Sequence, residues 1–258
     1  MDLTPRQNQI LKAVVEEYIT TAEPVASEQL ERKYNLGVSP ATIRNEMASL
    51  TDMGLLKQPH TSAGRVPTPL ALRFYIDHLM QEKSMSLADE VAAKEQVWDS
   101  RLDFDKLLRQ TALALAARTK ALSVVATDSG DIYYAGASHI LTMPEFFDID
   151  VTRTLLSLMD EQQRLLQLFF HRTYGPDPIH IIFGQELGWP YFDPIGMAFT
   201  YFNAGSGGRG TLAVVYFNAG SGGRGTLAVV GPCRLNFPYV IPTLRYFSTL
   251  VNELTANW

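Results

Sequence analysis

From Ser27 to Thr68 the chain leaves little freedom of architecture. Ser39-Pro40 opens a helix: the hydroxyl can accept from an orphan amide, and proline has no amide to leave unpaired. Behind it Ile43, Met47 and Leu50 recur at helical spacing, and Gly54 can stop the run. Ahead of it, Ser27 can cap a shorter helix whose Leu30 and Tyr34 lie one turn apart. Asn35-Leu36-Gly37-Val38 then makes a turn in which Gly37 can take positive φ. Leu55–Gln58 and Arg65–Thr68 follow as short extended segments around Pro59–Gly64. Two helices with a tight turn between them, followed at once by a hairpin, have the layout of a winged helix-turn-helix.

The flanks fit that unit. Thr4-Pro5-Arg6-Gln7 carries a capping-box start, and Ile10, Leu11, Val14, Val15, Tyr18 and Ile19 form one apolar face before Pro24. Thr68-Pro69 caps another helix, carrying Leu72, Tyr75, Ile76 and Leu79. Residues 1–80 therefore read as one winged-helix domain. Residues 81–105 are charged and helix-permissive, which suits a linker helix. Residues 106–258 are mixed α/β: a helix over Leu107–Ala117, strands at Ala121–Ala126, Ile132–Ala135 and Ile179–Phe183, a long helix over Val151–Phe170, glycine-separated strands from Met197, and a closing helix over Val240–Leu254. The fold class expected is α+β.

At 258 residues with 46% hydrophobic and 19% charged, the chain can bury a core without staples. A net charge of −5 excludes a uniformly basic coat, yet Met53–Ile76 holds Lys57, Arg65 and Arg73 with no acidic residue. One cysteine, Cys233, excludes an intramolecular disulfide or a multi-cysteine zinc site. Met1–Gln9 shows no signal peptide, and no apolar run approaches the ~20 residues of a membrane helix, so a soluble cytoplasmic protein is expected. The five histidines have no metal-ligand spacing and no catalytic constellation stands out, so no metal, no cofactor and no enzymatic activity are expected.

With Ile43, Met47 and Leu50 turned inward, Thr42, Arg44, Asn45 and Ser49 lie near the opposite or flanking faces of the third helix. These side chains suit a major groove: arginine reads guanine O6 and N7, asparagine reads adenine, and hydroxyls bond phosphate or base edges. A solvated helix face serving protein contacts would look the same on this ground alone.

Ser39–Thr68 (SPATIRNEMASLTDMGLLKQPHTSAGRVPT), with LTPRQNQILKAVVEEYI before it and RFYIDHLM after it, resembles the N-terminal domain of the HrcA repressors, and PHTSAGR is specific to that family. The resemblance implies a winged-helix repressor of chaperone genes that binds an inverted-repeat operator (CIRCE) as a homodimer and is kept active by the chaperonin GroEL. It makes Arg44 and Asn45 base readers, with Ser39 and Thr42 in support. Lys57, His60 and Arg65 become wing and phosphate contacts. Ile132–Phe146 and Gly225–Leu254 resemble parts of the family's GAF-like domain. Family members are longer, and the stretch missing here falls near Thr127–Asp131, where they carry further strands and an inserted dimerisation segment. An incomplete GAF-like domain is therefore expected.

Tyr201–Val215 recurs unchanged as Tyr216–Val230. Two perfect copies argue against a solenoid, and an expelled glycine-rich loop is expected. Gly205–Gly210 and Gly220–Gly225 match a dinucleotide fingerprint, but a strand-like run follows each, which fits a hairpin loop instead. Cys233 is expected to be a buried small side chain, and Met143, Phe146, Phe147, Phe169 and Phe170 to be core. Two other functions compete with repression: a ligand-responsive regulator whose GAF-like half binds a small molecule, and a degenerate relative that binds DNA weakly as a monomer.

Overall fold

A computed structural model describes residues 2–205 and 223–256. They form two compact units: one runs to Glu82 and includes Arg234–Pro238, and the other comprises Lys83–Cys233 and the chain from Tyr239.

The first unit begins with α1 (Pro5–Thr21). The Thr4 hydroxyl accepts from the Gln7 amide while the Gln7 side chain accepts from the Thr4 amide, completing the capping box. Then come α2 (Ser27–Lys33) and α3 (Pro40–Asp52), with Gly37 between them at φ +67° and Gly54 after α3 at φ +76°. A two-stranded antiparallel hairpin follows, β1 (Leu56–Lys57) against β2 (Val66–Pro67). Finally α4 (Pro69–Phe74) runs into a π-helical turn, Tyr75–Leu79. Ile10, Leu11, Val14, Val15, Leu30, Ile43, Leu50 and Leu55 are fully buried, so all three main helices and the base of the hairpin share one core. Each such aliphatic side chain contributes about 1.5–3 kcal/mol on burial. Ser27 is not the cap expected of it. Ala26 takes the cap position, and the Ser27 hydroxyl instead donates to Glu28.

The second unit contains α5 (Leu87–Trp98), α6 (Phe104–Thr119), β3 (Leu122–Thr127), β4 (Ile132–Ala135), a short α7 (Ala137–Ile140), α8 (Ile149–Asp160), α9 (Gln162–Phe170), β5 (His180–Phe183), β6 (Ile195–Gly205), β7 (Gly223–Pro232) and α10 (Phe237–Thr255). Its five-stranded sheet has the order β4-β3-β7-β6-β5, with every neighbouring pair antiparallel. Leu122, Val124, Met197, Phe199, Ala228 and Val230 line one face and share a core with Leu155 and Leu158 of α8 and Leu165 and Phe169 of α9. Against the other face lies α6, where the Ser123 hydroxyl donates to the Ala112 carbonyl. Every residue of β3 is buried, the polar Ser123 and Thr127 included, because helices cover both faces of the sheet at this strand. Within 81–105, α5 buries Ala93 and Val97 and packs on α6.

Three further expectations need correcting. The long helix over 151–170 is two helices, broken at Glu161 (φ −85°, ψ 65°), with no proline or glycine in the sequence to announce it. Phe147 is 71% exposed rather than core, whereas Phe146 and Phe169 are buried. Cys233 is only half-buried, and its thiol donates to the carbonyls of Asp193 and Ile195. Thr127–Asp131, where the resemblance locates a missing stretch, is a tight turn in which the Thr127 amide bonds the Asp131 carbonyl.

The repeat is split across one hairpin. Tyr201–Gly205 of the first copy lies in β6 and Gly223–Val230 of the second in β7, paired Tyr201 with Thr226, Phe202 with Gly225 and Gly205 with Gly223. The expected expelled loop, most of the first fingerprint match and half of the second fall in 206–222, outside the described residues. Because the copies are identical, deleting residues 206–220 puts the same residues on the same partners. It leaves Ser-Gly, a two-residue hairpin connection, between the strands. The shorter connection lowers the closure cost, so the deletion is expected to raise unfolding stability by about 1–2 kcal/mol. A denaturation midpoint measured beside the parent chain checks it.

Candidate nucleic-acid interface

The outer face of α3 is built from its own N-terminus. Ser39 caps the helix, its hydroxyl accepting from the Thr42 amide at 3.2 Å and lying 3.0 Å from the Thr42 hydroxyl. With Ile43, Met47 and Leu50 buried beneath, Arg44 and Asn45 are exposed and Thr42 half-buried. Arg44 is engaged by α2: its Nη2 donates to Glu28 Oε1 at 2.5 Å. Ser49 differs from the sequence picture. Its hydroxyl accepts from the Gln7 side chain of α1 at 3.4 Å, so it sits at a helix–helix seam rather than on the open face.

The hairpin supplies the second half. Lys57 on β1 and His60 in the turn after it are exposed. Arg65 is half-buried and structurally committed: its Nε donates to the Thr51 hydroxyl at 3.1 Å, and its backbone exchanges two 2.9 Å hydrogen bonds with Val25. Two wing residues were not evident from sequence. The Gln58 side-chain amide donates to the carbonyls of Thr61 and Ala63, both at 2.9 Å, clamping the turn. Gly64 lies so close to the Val25 backbone that a Cβ there would stand 2.3 Å from the Val25 carbonyl oxygen. Thr68 closes the assembly, capping α4 while its hydroxyl donates to the Gly54 carbonyl.

The angle between α1 and α2 is fixed by a residue that sequence reasoning also missed. Glu17 is buried and accepts from the Gln29 amide at 2.7 Å, the Lys33 ammonium at 2.5 Å and the Tyr34 hydroxyl at 3.1 Å. Burial pushes its carboxyl pKa upward, but the bonds from Lys33, Tyr34 and Gln29, with the Lys33 charge, outweigh it and leave the pKa below the usual carboxylate range. Only its separation of 12 to 17 residues from those donors ties the constellation together, and that is no local signal.

Among the described residues no group of three or more His, Cys, Asp or Glu could hold a metal ion, and no helix is long and apolar enough to cross a membrane. The outer face carries the donors and cations of Arg44, Asn45 and Lys57, with the Glu28 carboxylate beside Arg44.

Comparison with known proteins finds two family matches along the chain. Residues 2–82 match the family described as "Winged helix-turn-helix transcription repressor, HrcA DNA-binding", and residues 71–241 match "HrcA protein C terminal domain". The "Heat-inducible transcription repressor HrcA" of Symbiobacterium thermophilum is 47% identical over 120 residues, 46% of this chain and 35% of that protein. The protein of the same description from Clostridium perfringens is 46% identical over 48% of this chain and 37% of its own length. With these two relatives, the match spans little more than a third of their length. The Carboxydothermus hydrogenoformans relative aligns over 98% of both chains at 25% identity. One solved structure, described as "a hypothetical protein at 2.2 A resolution", shares the fold with a TM-score of 0.72 at 18% identity, covering 98% of this chain and 99% of its own.

Proposed function

The chain belongs to the HrcA family, with a winged helix-turn-helix DNA-binding domain at its N-terminus, and from that premise we propose that it silences chaperone genes by occupying a CIRCE-type inverted repeat. One observation carries the reading: α3 turns Arg44 and Asn45 to solvent above a fully apolar underside, followed at once by a hairpin bearing Lys57 and His60. In this reading α3 enters the major groove, Arg44 and Asn45 read base edges, Ser39 and Thr42 support them, and Lys57, His60 and Arg65 meet the backbone. Ser49 contributes through the α1–α3 seam. A two-fold operator needs two related copies, so the active species is a homodimer. GroEL binding to the folded repressor alone raises its stability by mass action, and unfolded clients that occupy GroEL under heat withdraw that support. The protein acts in the cytoplasm, without enzymatic activity.

Fluorescence anisotropy with an inverted-repeat duplex and a scrambled one, at fixed salt, tests this. Arg44→Ala and Asn45→Ala are each expected to cost about 1–3 kcal/mol on the inverted repeat only. Lys57→Ala is expected to weaken both duplexes alike and lower the salt slope by about one unit. Equal binding of the parent chain to both duplexes rejects the operator reading.

A further inference from the structure

The Arg44 guanidinium does not stand alone in solvent. Its bond to Glu28 joins α2 to α3 across the turn, with the two side chains 68% and 48% exposed, so the pair lies on the outer surface and braces no core. Glu28 is held ionised: its own backbone amide and the Ser27 hydroxyl bond the carboxyl, and with Arg44 they keep its pKa below the usual carboxylate range. Whatever approaches Arg44 therefore meets a fixed negative charge beside it.

The two kinds of DNA contact respond differently to that charge. A phosphate competes with Glu28 for the same cation and is repelled by the carboxylate. A guanine edge is uncharged and takes two donors of the five-donor guanidinium fork, of which Glu28 engages Nη2. We propose that Glu28 is a specificity-determining residue of the DNA interface, whose carboxylate withholds Arg44 from phosphates while leaving its fork open to a base edge. This rests on the repressor reading above. Glu28 weakens binding to arbitrary DNA more than binding to the operator, widening the ratio between them.

The test is Glu28→Gln in the full chain, titrated against an inverted-repeat duplex and a scrambled duplex at several salt concentrations. Exposed ion pairs are worth at most about 1 kcal/mol, so the scrambled duplex is expected to bind roughly 2- to 5-fold tighter. Its salt slope should steepen by about 0.9 as Arg44 becomes a further phosphate contact. Operator affinity should change less, so discrimination falls. In an Arg44→Ala background the same substitution should lose most of its effect. An unchanged or weaker scrambled complex overturns the proposal, as does an effect undiminished by Arg44→Ala, which would be general charge repulsion. Failure of the parent chain to prefer the inverted repeat rejects the operator reading instead, while the slope on scrambled DNA still decides the role of Glu28. A chain that binds neither duplex overturns both.

Discussion

Replacing Gly64 with alanine is expected to unseat the wing and cost the first unit about 2–4 kcal/mol, the sum of an overpacking penalty and the hydrogen bonds it breaks. The added Cβ meets the Val25 carbonyl oxygen at 2.3 Å and its carbon at 2.4 Å, and both are backbone atoms that no rotamer change can move aside. The only relief is separation of the hairpin from the segment after α1. That separation breaks the paired Val25–Arg65 backbone bonds and pulls Arg65 from Thr51. For a unit of this size each kcal/mol shifts the melting temperature by about 4–8 °C, so a drop on the order of 10 °C or more should appear in circular dichroism. If the proposed reading holds, DNA binding weakens with it, because Lys57 and His60 ride on the displaced hairpin. An unchanged melting curve would show that the hairpin yields freely and that its seat on Val25 does not hold the wing.

Removing the Glu17 carboxylate has an effect of similar size. Glu17→Ala strands two neutral donors, Gln29 and Tyr34, and one cation, Lys33. Lys33 is half exposed and recovers water, so most of the loss comes from the buried end of the network, about 2–3 kcal/mol. The pH dependence has a definite sign. The folded pKa lies below the unfolded one, so this stabilisation is present above the unfolded value and fades as pH falls through the folded value. Urea unfolding at a series of acidic pH values should show a declining midpoint in the parent chain and a flatter profile in Glu17→Gln. Parallel profiles would rule out Glu17 as the source of the decline.

These two residues mark where the sequence stops being legible. Thr4, Ser39 and Thr68 announce their caps because the donor and acceptor lie three residues apart, and the core face of α3 follows from one helical period. Gly64 and Val25, or Glu17 and Tyr34, meet only once the chain has folded back. No local pattern distinguishes that glycine from one in an open turn. The same limit explains Ser49. It lies on a flank of α3, and only the arrival of α1 decides whether that flank is groove or seam. The break at Glu161 is illegible for another reason: no proline or glycine marks it, and the apolar residues on both sides, Leu155 and Leu158 of α8 and Leu165 and Phe169 of α9, enter one core. Of the candidate interface, Arg44, Asn45 and Lys57 were visible from residue type and phase, and His60 only through the family resemblance. The residues that hold them in place (Gln58, Gly64, Glu17 and Glu28) were not.

The divided repeat bears on inheritance. Strand β6 takes its end from one copy and β7 its start from the other, and the residues that would pair in a single-copy chain are the same residues. A lineage could therefore lose one copy, whichever it was, and arrive at one and the same sheet. Loss of fifteen residues at this point changes the length of the protein and leaves the residue at every described position of β6 and β7 the same.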